Sequence, residues 1–222
     1  MKAITAMAPF GFGKNNETAP AAPAVDLGKK AGAISLEKGN RVTIEKTPVV
    51  TARCEWSSNT DYDLYALVIL KDGTELVCST FGSEAQPVPT PELLGGAVRH
   101  LGDVGRGQNG KAQETIEIKL TDEIEAVVPI AYSAQSNGMG SFRKYGVSLG
   151  IDNGSGTSVT IDSANASKRM SVFTVAIGVI RNTAEGVVVE SLETYSKSLS
   201  EFRPAWQNGQ VVMDAGSKNI FK

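Results

Sequence analysis

Asp63–Phe81, DLYALVILKDGTELVCSTF, settles the fold class. Asp63–Leu70 is an almost continuous apolar run, which reads as a β-strand covered on both faces. Lys71-Asp72-Gly73-Thr74 carries an Asp-Gly turn signal, and Glu75–Phe81 is the return strand of the hairpin.

The same grammar extends in both directions. Upstream, Ile34–Leu36 and Val42–Glu45 are short strands around a Lys38-Gly39-Asn40 turn, and Val49–Trp56 alternates with Val50, Ala52, Cys54 and Trp56 on one face. Downstream, Thr115–Leu120, Ile124–Tyr132, Tyr145–Ile151, Val159–Ser163, Ser171–Arg181 and Val187–Tyr195 read as strands. Ser171–Arg181 is the longest β-branched run and predicts a central strand, while Pro129 points to an edge or a bulge. Turns fall at Asn137-Gly138 with Gly140, at Asp152–Thr157, at Asn182–Gly186 and at Asn208-Gly209 before Gln210–Met213. Gly82–Gly96, with Pro87, Pro89 and Pro91, reads as a long loop, and Ser196–Phe202 as a short helix or irregular segment. Roughly ten short strands without a long helix predict an all-β protein, a two-sheet antiparallel β-sandwich.

That domain spans residues 32–222. Residues 1–31 are rich in Pro, Ala, Gly and Asn and have no sustained period, so they read as a mostly irregular N-terminal arm or linker. Its apolar side chains, Ile4, Met7, Phe10 and Phe12, suit docking on another protein or on a sheet edge.

Composition excludes several functions. The net charge is -2, which gives no basic excess to neutralise phosphates, so nucleic acid is not an expected partner. No apolar run reaches the ~18–20 residues needed to cross a bilayer, and Met1–Phe12 lacks the apolar core of a signal peptide. The expected setting is the cytoplasm, or a particle assembled there. Cys54 and Cys78 lie in strand-like stretches and read as buried free thiols, with a disulfide between neighbouring strands as the lesser reading. Trp56 and Trp206 are expected in or beside the core.

The candidate chemistry sits in His100–Leu120, HLGDVGRGQNGKAQETIEIKL, an acid between glycines followed by a glycine-rich loop and a strand. His100 is the one histidine of the chain, and no nucleophile elbow or phosphate-binding loop accompanies it, so an enzyme is not expected. Calcium wants six to eight oxygens converging from several segments. Asp61 and Asp63 at a strand start, Asp103 between Gly102 and Gly105, and Glu114 at the close of the loop are the candidate carboxylates. The plainer reading of Asp-x-Asp is turn capping, and of the glycine loop a tight connection. Arg99 and Arg106 flank the loop and read as solvated, an anion or acidic-partner site being the sharper alternative.

Several motifs in order resemble the tellurium-resistance TerD family, including its TerA-like members. GAISLEKGNRVTIEK, Glu55-Trp56 followed by DYDLYALVIL, His100-x-Gly102-Asp103, Glu114-x-Ile116, Phe142 and Ala215–Asn219 carry the resemblance, which spans residues 32–222. It implies a β-sandwich, a calcium site in many members, and a role in stress-response or tellurite-resistance complexes near the membrane. The chain departs from the family at Tyr65, where relatives carry an aspartate, at Val104, where they carry Asn, and at Lys111, Ala112 and Gln113, where they carry Gly-Asp-Asp. Fewer acids, with a lysine beside them, imply that calcium binds weakly or not at all. The resemblance therefore implies a non-enzymatic binding or scaffold module, cytoplasmic and at most peripheral to a membrane complex. The alternative is a structural part of a large assembly, such as a phage particle, injection device or filament, in which this fold oligomerises without calcium.

Overall fold

The computed structural model describes residues 25–57, 59–105, 110–134, 141–162 and 170–220. The strands are β1 Val25–Lys29, β2 Ala33–Ser35, β3 Asn40–Ile44, β4 Val50–Ser57, β5 Asp63–Leu70, β6 Glu75–Cys78, β7 Glu92–Leu93 and β8 Val98–His100. They continue with β9 Lys111–Ile118, β10 Ile124–Tyr132, β11 Ser148–Asp152, β12 Ser158–Asp162, β13 Thr174–Asn182, β14 Val187–Tyr195, β15 Ala205–Gln207 and β16 Gln210–Val212. A single 3-10 turn, Leu94–Gly96, is the one helical element among the described residues. Two seven-stranded sheets form the sandwich. The first has the order β1-β3-β14-β13-β10-β5-β6, and the second β2-β12-β11-β4-β9-β8-β7.

The expected antiparallel sandwich needs correction at one flank, where both sheets are mixed. β1 runs parallel to β3 and β2 parallel to β12. After β1 the chain leaves the first sheet, adds β2 to the second, and returns as β3. That excursion is the crossover a parallel pair requires. It also places Val25–Lys29 in a strand, inside the stretch read as an irregular arm. Residues 1–24, with the apolar side chains of the arm, lie outside the described residues, as do the Asn137-Gly138 turn and Arg106.

Two apolar layers follow from strand alternation. Val50, Ala52, Cys54 and Trp56 of β4 point inward with Ile116 and Ile118 of β9, and these meet Leu64, Ala66 and Val68 of β5 between the sheets. The opposite face of β5 carries Tyr65, Leu67 and Ile69, which pack with Ala126, Val128 and Ile130 of β10. This outer face is closed by the C-terminal segment, whose Trp206, Val211 and Met213 lie against it. Thus β5 is buried on both sides, as its unbroken apolar sequence requires. β13 is an interior strand, as expected. Pro129 also lies in an interior strand, within a register shift of the β10–β13 ladder between Val127 and Ile130. The bulge reading holds there and the edge reading does not. Cys54 and Cys78 are both buried and unpaired, on different sheets. Burial pushes the Cys78 thiol up to about 11.

Arg203 pins the C-terminal segment to the outer face. Its guanidinium lies 5.2 Å from the ring centres of both Tyr65 and Phe81. It donates to Asn219 Oδ1 at 2.6 Å and to the Phe81 and Gly82 carbonyls at 3.2 and 3.1 Å. Beside it Tyr132 donates a short hydrogen bond to the Glu201 carboxylate. The segment read as helical or irregular, Ser196–Phe202, is irregular and held by these side chains. Replacing Arg203 with Ala removes a donor from three acceptors, of which the Gly82 carbonyl keeps the Ile220 N–H. We expect a loss of about 2–4 kcal/mol in urea denaturation, together with new protease cleavage within residues 196–220. Unchanged stability and cleavage would show that the segment is held by its apolar contacts alone.

Candidate metal centre

The centre forms where β5 begins and its edge partner has ended. The β5–β6 ladder pairs Ala66 with Cys78, so its register would next bring Leu64 to residue 80. The chain turns away before that, and a bridge from Ser79 to Thr90 leads it toward the second sheet. The Leu64 N–H and C=O therefore have no strand opposite them. Two side chains from the second sheet take the strand's place. Glu114 Oε2 accepts from the Leu64 N–H at 2.6 Å, and His100 Nε2 lies 2.9 Å from the Leu64 carbonyl.

Strand alternation explains both placements. β9 buries Ala112, Glu114, Ile116 and Ile118, so Glu114 occupies a core position of an otherwise apolar series and is 1% exposed. A buried carboxylate needs donors. Besides Leu64 it receives the Val104 N–H at Oε1, 3.0 Å away, which ties down the glycine loop. His100 is buried at the end of β8 rather than in a loop, and pairs with Ile116 of β9. The Gly102 N–H donates to His100 Nδ1 at 3.1 Å. In the neutral ring the proton then belongs to Nε2, which donates to the Leu64 carbonyl with Glu114 Oε2 at 3.3 Å. Both ring nitrogens are thus engaged.

Three of the four candidate carboxylates meet here. One oxygen each from Asp63, Asp103 and Glu114 lies within 4.8 Å of the others. Asp63 and Glu114 are buried, and Asp103 is exposed at the mouth. Three hard oxygens at this spacing, supplied by two strands and a loop, suit a hard divalent cation, and the triad is geometrically able to hold one. Further oxygens would have to come from backbone carbonyls or water.

Asp61 does not join the cluster, in contrast to the sequence reading. Regular extension begins only at Asp63, so the two-residue alternation that would align Asp61 with Asp63 has not started. Tyr62, between them, is anchored against Trp56 and Phe142, and Trp56 Nε1 donates to the Thr60 carbonyl. Asp61 is half-buried, its carbonyl 3.4 Å from Ser133 Oγ. Lys111 also differs from expectation. It projects from the exposed side of β9, its ammonium 3.5 Å from Glu55, so it does not enter the cluster. The part that sequence reasoning missed is the role of His100 as a backbone partner. The signal available was its place two residues after Val98 in a short alternating run ahead of the glycines.

The two backbone clamps predict the cost of removing them. Glu114→Ala strands the Leu64 and Val104 N–H groups, and we expect it to lose about 2–5 kcal/mol in urea denaturation. His100→Ala strands the Leu64 carbonyl and is expected to cost about 1–3 kcal/mol. A surface-like change below about 0.5 kcal/mol in either would contradict the clamp.

No family model matches the chain, and no curated protein matches it. Among solved structures, a homologue of telluride resistance protein TerD from Streptomyces coelicolor A3(2) aligns with a TM-score of 0.46 and 16% identity, over 68% of this chain and 92% of that one. The crystal structure of a protein of unknown function aligns with a TM-score of 0.46 and 14% identity over the same shares.

Proposed function

We propose that the chain is a non-enzymatic, TerD-like binding module in which Asp63, Asp103 and Glu114 form a low-affinity site for one divalent cation, calcium first. The observation that carries this reading is the meeting of three carboxylates from three segments within 4.8 Å. Two features set the affinity low. Only three carboxylates converge, and affinity follows ligand charge. Both Glu114 oxygens already accept a backbone N–H, which draws on the electron density a cation would use.

A binding role also accords with His100. Its nitrogens are committed to Gly102 and Leu64, so it offers neither an exposed base nor a proton to a substrate. No helix among the described residues is long and apolar enough to cross a membrane. The proposed setting is a stress-response or tellurium-resistance complex, in which the mouth of the site, at Asp103, is the element that reports the cation to a partner.

Calorimetric and thermal titrations with calcium test the proposal. For a dissociation constant near 1 mM, about 10 mM calcium adds about 1.4 kcal/mol to stability. That corresponds to a rise in Tm of about 3–5 °C for a chain of this size. Asp63→Asn and Asp103→Asn should abolish the shift, and Asp61→Asn should leave it intact. Absence of both heat and shift at that concentration would sink the cation reading.

A further inference from the structure

Another buried carboxylate lies at the same end of the sandwich, three strands from β5 across the first sheet, and it has a different character. Glu193 belongs to β14, where the ladder to β13 shifts register between Ala176 and Gly178. The partners are Thr194 for Ala176 and Ser191 for Gly178, so β14 holds an extra residue here. Glu193 takes that bulge with φ 45°, a left-handed conformation rare for a residue with a side chain. Its side chain points inward, continuing the buried series Val187, Val189 and Ser191. Glu193 is 3% exposed, and its Oε2 has no hydrogen-bond partner.

A small cavity lies against it. Its walls are Val147, Val175, Ile177, Phe142 and Tyr195, and Asp162 of β12 completes the lining beside Glu193. The two rings stand 6.0 Å apart. There is room for about one water molecule. The Lys38 ammonium donates to the Glu193 backbone carbonyl at 3.2 Å and makes no hydrogen bond to Oε2.

We propose that this cavity receives a primary ammonium group, the head of a free amine or the tip of a lysine side chain, with Glu193 as its acceptor. Three features select that chemistry. An ammonium is about the size of the space and donates the hydrogen bond that Oε2 lacks. Two aromatic rings, Phe142 and Tyr195, are part of the lining, where a cation can meet a π-system. A divalent metal fits poorly, since the lining supplies two carboxylates and mostly hydrocarbon where six or more oxygens are wanted. Exposed Asp162 adds negative charge at the rim, where the ligand's alkyl chain would emerge.

Burial holds the Glu193 carboxyl above the usual range, with Lys38 lowering it and Asp162 raising it. Tyr195 is the remaining titratable group in the lining. The folded state then binds the Glu193 proton more tightly than the unfolded state. That stability is fully present below the unfolded value and lost as pH rises through the folded one. Glu193→Gln, which has the same shape, should remove this loss. The variant should therefore gain on the wild type as pH rises from about 4 to neutrality, which also shows that it folds.

The experiment titrates the full chain, in calcium chelator, with n-butylammonium and with Nα-acetyl-lysine methylamide, followed by calorimetry and thermal shift. We expect saturable binding in the millimolar range and at least about tenfold weaker binding of tetramethylammonium, which has the charge but no N–H. Glu193→Gln should weaken butylammonium by a similar factor, while Asp63→Asn leaves it unchanged. Binding of both amines supports a free-amine site, and binding of the lysine derivative alone supports a protein partner. No saturable binding of either amine, or equal binding by Glu193→Gln or of tetramethylammonium, overturns the proposal. The chelator and the Asp63→Asn control keep that outcome separate from any failure of the cation site.

Discussion

The Leu64 peptide groups are the constraint on which the arrangement depends. A sandwich strand that outlasts its neighbour exposes an N–H and a C=O inside the molecule, and each is costly unless paired. Here the opposite sheet answers with side chains, a carboxylate for the N–H and an imidazole for the carbonyl. The contact is therefore a hydrogen-bonded tie between two layers whose interface is mostly apolar. It sets how the second sheet sits over the first at this end. Through Val104 and Gly102 it also sets the path of the glycine loop. The position of Asp103 follows from that path, so the carboxylate triad is a consequence of the tie and not an addition to it.

The outer face of the first sheet obeys the same rule with different groups. A sheet covered on both sides needs a third layer, and the C-terminal segment supplies it without regular helix or long strands. Irregular backbone under a protein surface leaves carbonyls to satisfy. Arg203, with donors fanned in one plane, reaches three acceptors at once while its faces lie against Tyr65 and Phe81. A lysine could not combine these contacts. Glu193 marks the contrast, because its oxygen is buried with no such partner. That open oxygen also lies in the lining of a cavity, which is why it reads as a receptor for something else.

The fold was legible in the sequence where alternation was strong. Asp63–Leu70, Ile124–Tyr132 and Val187–Tyr195 have the boundaries their apolar pattern predicts. The short edge elements were not. Glu92–Leu93 lies in the stretch read as loop and Val98–His100 is absent from the strands that the pattern predicts, because two- and three-residue strands hold too few positions for a period. Parallel pairing at β1 and β2 was also hidden, since pairing direction is set by where the chain travels and leaves no mark in local composition. At the site, Asp63, Asp103 and Glu114 carried a signal as acids beside glycines or strand ends. Asp61 carried the same signal and lies apart, because spacing of two aligns side chains only within an extended strand. Glu193 continues the inward series Val187, Val189 and Ser191, so its burial follows from alternation, whereas the bulge beside it is a one-residue shift that no run of residues announces.

Glu114 also bears on what a cation would do for the protein. Its two oxygens each accept a backbone N–H, which ties the loop and the start of β5 to it. A cation would enlarge the set of partners around that carboxylate instead of creating it. Binding would then add stability that grows logarithmically with the free ion, without acting as a switch between folded and unfolded states. The charge of the cluster favours the ion, and the donors on Glu114 oppose it. Such a balance suits a centre that follows millimolar changes in concentration better than one that stays filled.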